Sequence, residues 1–287
     1  MNAAPRFFRY SADVLIHYQE EGTGPTPIVF LHGFAASLVT WHDIRRMFAP
    51  ERYRLFLLDL KGAGLSSKPQ DRLYGPTTQA AIVAAFLEEH KLNGVVLVGH
   101  SFGGAVALLT SLKSLAKGEW GRIGRLILID CAVYPQKIPR FIGYLRIPLL
   151  GHLLLKAIPV RFGVRLMLNR IFRNKRAITP ERIERYASCF GKESAYPLIQ
   201  GARQLLPPDS AELVRRYREI DLPTLIIWGR EDPLISLDQG VRLQGELPHA
   251  RLAVLENCGH NPQEEWRAET FAVIREFLED GEILRQS

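Results

Sequence analysis

Cysteine is scarce in this chain of 287 residues: Cys131, Cys189 and Cys258 are the only three, far apart and in no CxxC spacing. That pattern excludes a cysteine-ligated zinc site and implies no disulfide framework. Uncharged apolar runs are short, and none reaches the roughly 18 residues a membrane-spanning helix needs. The first twenty residues, MNAAPRFFRYSADVLIHYQE, hold no apolar core of signal-peptide kind. A cytoplasmic location is therefore the expectation. Apolar residues make up 47% and charged residues 23%, which excludes disordered and collagen-like readings of the whole chain. No internal repeat and no low-complexity tract occurs.

Charge is unevenly spread. The net value is +7. Between Ala132 and Arg216 there are 16 Lys and Arg against 5 Asp and Glu, a net +11, so the rest carries −4. This basic block is also rich in proline, at Pro135, Pro139, Pro148, Pro159, Pro180, Pro197, Pro207 and Pro208. Short amphipathic pieces such as GHLLLKAI, VRLMLNRIF and PERIERYAS lie between the prolines, a pattern for several short helices.

Outside the block, short apolar runs alternate with helical patterns. Val14–Tyr18, Ile28–Leu31, Tyr53–Leu60, Gly94–Val98, Arg125–Ile129, Thr224–Trp228 and Ala250–Leu255 read as strands. Most are apolar on both faces, as central strands of a mainly parallel sheet are. Helices are expected over Trp41–Phe48, Thr78–His90, Phe102–Leu115, Leu237–Leu247 and Glu264–Leu278. The alternation predicts an α/β fold with a doubly wound, mostly parallel sheet. Residues 1–131 and 217–287 would form the core, and 132–216 an inserted helical cap, or lid, over one edge of the sheet.

The sequence Gly99-His100-Ser101-Phe102-Gly103 follows one such strand and opens a helix. A serine at this sharp turn takes an unusual backbone conformation, and its hydroxyl projects above the sheet's carboxyl edge. The two glycines leave room where a Cβ would collide. The Phe102 N–H, at the helix start, can point at a developing oxyanion. The bland alternative is a small-residue turn that only lets a helix pack on a strand.

With strand and helix so placed, the chain resembles the α/β-hydrolase family over most of its length outside the basic block. His32-Gly33-Phe34 stands where that family has its HG oxyanion loop, and Asp59 to Ser66 resembles its D-x-x-G-x-G-x-S loop. Lys61 departs from the proline or arginine common there. The resemblance implies a Ser-His-Asp triad of Ser101, His260 and Asp232, with the Phe34 and Phe102 N–H groups as oxyanion hole. Of eight histidines, His260 lies in a Gly-His-x-Pro loop before the last helix, like the family's catalytic histidine. His32 is expected to brace its loop, and His100 to pack beside the elbow. Asp232 follows the strand TLIIW at the family's acid position. Glu231 is its neighbour, and Asp130, at the end of RLILI, is a second candidate. The chain order Ser, Asp, His is that of the family.

The expected chemistry is acyl transfer through a serine ester, with no metal or cofactor. The substrate would be an ester of an apolar small molecule or lipid, because Leu, Ile and Phe are frequent in the cap. Dehalogenase and epoxide-hydrolase relatives put aspartate where Ser101 stands. A carbon–carbon hydrolase acting on diketones, an acyltransferase or perhydrolase, and a ligand-sensing receptor remain open alternatives. The arginines of the cap would be solvated helix faces, an attraction for an anionic substrate, or a peripheral contact with an anionic membrane. Nucleic-acid binding is not expected, since no recognised module or aromatic-interleaved basic strip occurs.

Overall fold

The structure, a computed structural model, describes residues 5–119, 121–147, 149–205 and 210–286. An eight-stranded sheet organises the chain. Its strands are β1 (Arg6–Arg9), β2 (Leu15–Glu21), β3 (Thr26–Leu31), β4 (Tyr53–Leu58), β5 (Val95–His100), β6 (Ile123–Ile129), β7 (Thr224–Gly229) and β8 (Ala250–Leu255). The spatial order is β1-β2-β4-β3-β5-β6-β7-β8. β2 runs antiparallel to β1 and β4, and every other pairing is parallel.

Two-sided burial explains the apolar runs. Successive side chains on a strand point to opposite faces. Val29, Leu31, Leu97, Leu126, Leu128 and Ile226 enter one core with α1 (Pro76–Glu89) and α2 (Phe102–Ala116). Ile28, Phe30, Val96, Val98, Ile127 and Leu225 enter a second core on the other face. That core is closed by Ile274, Phe277 and Leu278 of the last helix, which with Phe271 carry the helical spacing seen in the sequence. With both faces covered, neither set of side chains can be polar.

The segment Trp41–Phe48 is not the helix its pattern suggests. It forms two short 3₁₀ turns, Leu38–Trp41 and Ile44–Met47. Trp41 is fully buried against Phe30 and near His100, which makes it core rather than pocket wall. The first strand, RFFR, escaped the pattern because it is a short edge strand with Phe8 as its one buried side chain.

Between β6 and β7 the chain leaves the sheet. The described residues there form α3 (Arg140–Arg146), α4 (Leu150–Ala157), α5 (Val160–Ile171), α6 (Pro180–Ala187), α7 (Ala195–Arg203) and α8 (Ser210–Arg215). Pro148, Pro207 and Pro208 lie outside the described residues. Val164, Leu168, Ile171, Phe172, Tyr186 and Ala187 give this insertion a small core of its own. Beyond it, the chain returns through α9 (Leu237–Glu246), α10 (Pro262–Glu265) and α11 (Arg267–Gln286). No described helix is long and apolar enough to cross a membrane.

Candidate active site

The carboxyl ends of the parallel strands gather the chemistry-bearing residues. Ser101 joins β5 to α2 with φ 52° and ψ −118°, a conformation that costs an L residue about 1–3 kcal/mol. Close packing enforces it. A Cβ on Gly99 would lie 2.4 Å from the Gly103 carbonyl oxygen, and one on Gly103 would lie 2.2 Å from that of Leu31. The turn is thus too tight for any other residue at either position. The Ser101 N–H donates to Ile129 O at 2.9 Å, and its carbonyl accepts from the Ala132 N–H at 3.1 Å.

Asp232 and His260 meet after β7 and β8. The His260 Nδ1 lies 2.7 Å from Asp232 Oδ2. The other carboxylate oxygen accepts the N–H groups of Leu234 and Ile235 at 2.7 and 3.1 Å. A carboxylate fixed in this way holds Nδ1–H toward itself and leaves Nε2 with a free lone pair. Ser101 Oγ makes no hydrogen bond among the described residues. The elbow is nevertheless tied to the histidine loop. His100 Nε2 donates to the His260 carbonyl oxygen at 2.8 Å, and the two rings lie 4.9 Å apart. Complete burial, followed by the nearby charge of His260, holds His100 well below the usual histidine pKa. It is therefore a neutral donor.

Asp130, the second candidate acid, takes a different position. Its Oδ1 accepts the Gly229 N–H at 3.0 Å. Burial, then the charge of Asp232, pushes its pKa well above the usual carboxylate range. Two carboxylates so close in a buried site do not both ionise. Asp130, Asp232 and His260 bring donor atoms within 4.8 Å of one another, the one cluster of metal-ligand type among the described residues. Glu231 is directed elsewhere and accepts the Cys258 N–H at 3.0 Å.

The HG loop abuts the elbow, since a Cβ on Gly33 would lie 3.1 Å from Ser101 Cβ. His32 Nδ1 donates to Gly33 O at 2.8 Å, and Nε2 accepts the Leu60 N–H at 3.0 Å. Both ring nitrogens are spent on backbone, and burial lowers the ring's pKa. Asp59 anchors the adjoining loop through the N–H groups of Leu38 and Leu65 and through His17, 2.7 Å away. Burial pushes Asp59 upward, but His17, His32 and the two amides outweigh it and hold its pKa below the usual value. His17, 42 residues distant in sequence, gave no local signal of this role.

Among the described residues, the N–H groups of Phe34 and Phe102 donate to no acceptor, although both residues line a cleft. Its other walls include Leu60, Lys61, Phe190, Pro197 and Leu198. Ser101, Asp232 and His260 lie outside the lining of this cleft. Lys61 is spent within the protein, on Asp71 at 2.6 Å and Leu73 O at 3.0 Å.

Two acidic residues that the sequence offered only as a helix start hold the histidine loop. Glu265 Oε2 accepts the N–H groups of Arg173 and Asn174 at 2.7 and 2.8 Å. The His260 N–H donates to Ile171 O at 2.9 Å. Glu264 accepts from Tyr186 and from Asn261 Nδ2. The insertion is therefore hydrogen-bonded directly to the loop that carries His260.

A model described as "Alpha/beta hydrolase family" matches residues 28–273. A 2-hydroxy-6-oxononadienedioate/2-hydroxy-6-oxononatrienedioate hydrolase of Burkholderia vietnamiensis is 28% identical over 273 residues, 93% of this chain and 91% of that one. An esterase from Thermogutta terrifontis superposes with a TM-score of 0.78 at 22% identity, covering 97% and 99% of the two chains. A meta-cleavage product hydrolase from Pseudomonas fluorescens superposes with a TM-score of 0.76 at 21% identity, covering 93% and 95%.

Proposed function

Because this chain belongs to the α/β-hydrolase family, we propose that it is a serine hydrolase that cleaves a carboxylic ester of an apolar small molecule or lipid. The observation that carries the reading is the pairing of His260 Nδ1 with Asp232 Oδ2 at 2.7 Å, on a loop whose His260 carbonyl accepts from His100, the chain neighbour of a serine held at positive φ. That pairing frees Nε2 to act as base at a hydroxyl that the turn has pushed out of the sheet.

In this reading, His260 Nε2 takes the Ser101 proton as Oγ bonds to the acyl carbon. The carbonyl oxygen gains the electron pair and is received by the N–H groups of Phe34 and Phe102. Asp232 stabilises the imidazolium without taking its proton. The imidazolium then protonates the departing alkoxide, and the acyl–oxygen bond breaks. Water, deprotonated by the same nitrogen, releases the acid and restores Ser101.

A second reading, hydrolysis of a carbon–carbon bond in a diketone, has a specific observation behind it: the Burkholderia vietnamiensis relative is named as a hydrolase of a 2-hydroxy-6-oxo dienedioate. A doubly carboxylated substrate wants an unneutralised cation in its pocket. Among the described residues that line the cleft, Lys61 is the one cation, and Asp71 already neutralises it. That favours the apolar ester. The inserted segment would act as its cap, with Pro197 and Leu198 of α7 and Phe190 of the loop before it lining the cleft beside Phe34 and Phe102.

The test is a rate panel on p-nitrophenyl esters of increasing chain length beside a vinylogous diketone, for the wild type and Ser101→Ala. The expected outcome is faster turnover of the esters, lost by at least about 10³-fold in the variant. Equal ester turnover by Ser101→Ala overturns the nucleophile. Faster turnover of the diketone overturns the ester reading and leaves the nucleophile standing.

A further inference from the structure

From Ala132 to Pro180 the chain holds ten Lys and Arg residues and no Asp or Glu. Over the same stretch, large apolar side chains face solvent. Leu149 is 83% exposed, Leu153 63%, Phe162 60% and Leu166 59%. Eight of the fourteen large apolar side chains exposed among the described residues fall between Tyr144 and Leu166. Scattered exposed leucines are ordinary, but a concentration of them marks a contact surface.

The spacing makes faces of them. Phe162 and Leu166 are four apart on α5 and so lie on one side of that helix, while Leu149, just ahead of α4 at φ 63°, is tied to Leu153, whose N–H donates to its carbonyl oxygen at 2.9 Å. Ile158, between the helices, packs within 3.4 Å of where a Cβ on Gly163 would be. The first turn of α5 is thus held against the end of α4. Cations flank these positions. Arg146, Lys156, Arg165 and Arg170 are exposed, and none has a carboxylate within ion-pair distance among the described residues. Arg161 is the exception, paired with Glu184 at 2.6 Å.

We propose that α3, α4 and α5 form a docking surface for an anionic lipid bilayer. Leu149, Leu153, Phe162 and Leu166 enter the headgroup boundary, while Arg146, Lys156, Arg165 and Arg170 meet lipid phosphates. Exposed apolar residues interleaved with uncompensated cations match such a surface in both respects. A second copy of this chain matches only the first, because a twofold contact sets the same cations against one another. The proposal is independent of the reaction assigned above. It does bear on access, since α3 and α4 pack on α7, whose Pro197, Leu198 and Gly201 line the cleft.

The test is co-sedimentation of the full chain with phosphatidylcholine vesicles, and with vesicles containing roughly one-third phosphatidylglycerol. The protein is expected to pellet with the anionic vesicles alone, and to release at high salt, where the Debye length shrinks toward about 3 Å. Arg146→Gln, Arg165→Gln and Arg170→Gln should each weaken partitioning about fivefold. Leu149→Asp with Phe162→Asp should abolish it. Turnover of a water-soluble short ester, or the circular-dichroism melt should there be none, must stay at the wild-type value and so shows that each variant is folded. Absence of pelleting with anionic vesicles overturns the proposal. So does pelleting that the folded variants leave unchanged. Sedimentation velocity without vesicles completes the test: a dimer that Leu149→Asp with Phe162→Asp dissociates assigns the face to a second copy instead.

Discussion

At the scale of single residues, the site is a problem in directing one proton. A histidine that serves as base is useful only in one tautomer, and on the proposed reading Asp232 selects it by accepting Nδ1–H of His260 while two backbone amides hold the carboxylate still. Asp232→Asn keeps the shape and inverts the preference, because the amide can donate to Nδ1 and so leave the proton on Nε2. Turnover should fall about 10⁴-fold with little change in melting temperature. Steady-state kinetics beside a thermal melt check this. Retained turnover, with loss on Asp130→Asn instead, would move the acid to the neighbouring strand. Asp130 is otherwise expected to tolerate Asn well, since burial beside Asp232 already favours its uncharged form.

At the scale of elements, the insertion and the histidine loop form one hydrogen-bonded unit. Glu265 terminates α5 from outside by taking the N–H groups of Arg173 and Asn174, which have left the helix. Its other oxygen accepts the Asn261 N–H at 3.3 Å, next to His260. Glu265→Ala strands those donors and should cost about 1–3 kcal/mol. On the proposed reading it should also lower kcat more than it raises KM, because the displaced group is the assigned base and not the pocket. Glu265→Gln, which keeps one acceptor, should recover part of the loss. A fall confined to KM would place the role in substrate binding. Little of this clamp was legible in the sequence, where Glu265 stands 92 and 91 residues from Arg173 and Asn174, Glu264 stands 78 from Tyr186, and both look like the acidic first turn of a helix. The strands were legible because burial on two faces forces a continuous apolar run. The elbow and the Gly-His-Asn-Pro loop were legible because their geometry demands particular residues at fixed local spacing. Trp41–Phe48 misled because its apolar spacing serves burial of Trp41 and Ile44 in two short turns as well as it would serve a helix.

At the scale of the molecule, one buried network joins insertion to core and titrates near neutrality. Glu264 receives Tyr186 and Asn261, while Arg182 lies 3.2 Å from its Oε1 without hydrogen-bond alignment. Asp43 binds Arg182 from the other side and also meets Arg185. Burial pushes the Glu264 carboxyl up to about 7, against the pull of Arg182, Tyr186 and Asn261. The folded state therefore keeps a proton that the unfolded chain, with an ordinary value of 4.5, has already lost. Protons bound to the native state stabilise it at low pH, so this contribution is complete below about pH 4.5 and disappears as pH rises through about 7. The span corresponds to about 3 kcal/mol. Urea unfolding followed from pH 5 to pH 8 should show a decline in stability that Glu264→Gln flattens, since an amide has no proton to lose. Because Tyr186 and Arg182 belong to α6 and Glu264 to α10, the decline should coincide with loosening of the insertion, read as faster proteolysis between Ala132 and Arg216. A stability profile identical in wild type and Glu264→Gln would mean that the carboxyl is ionised throughout and that Arg182 alone compensates it.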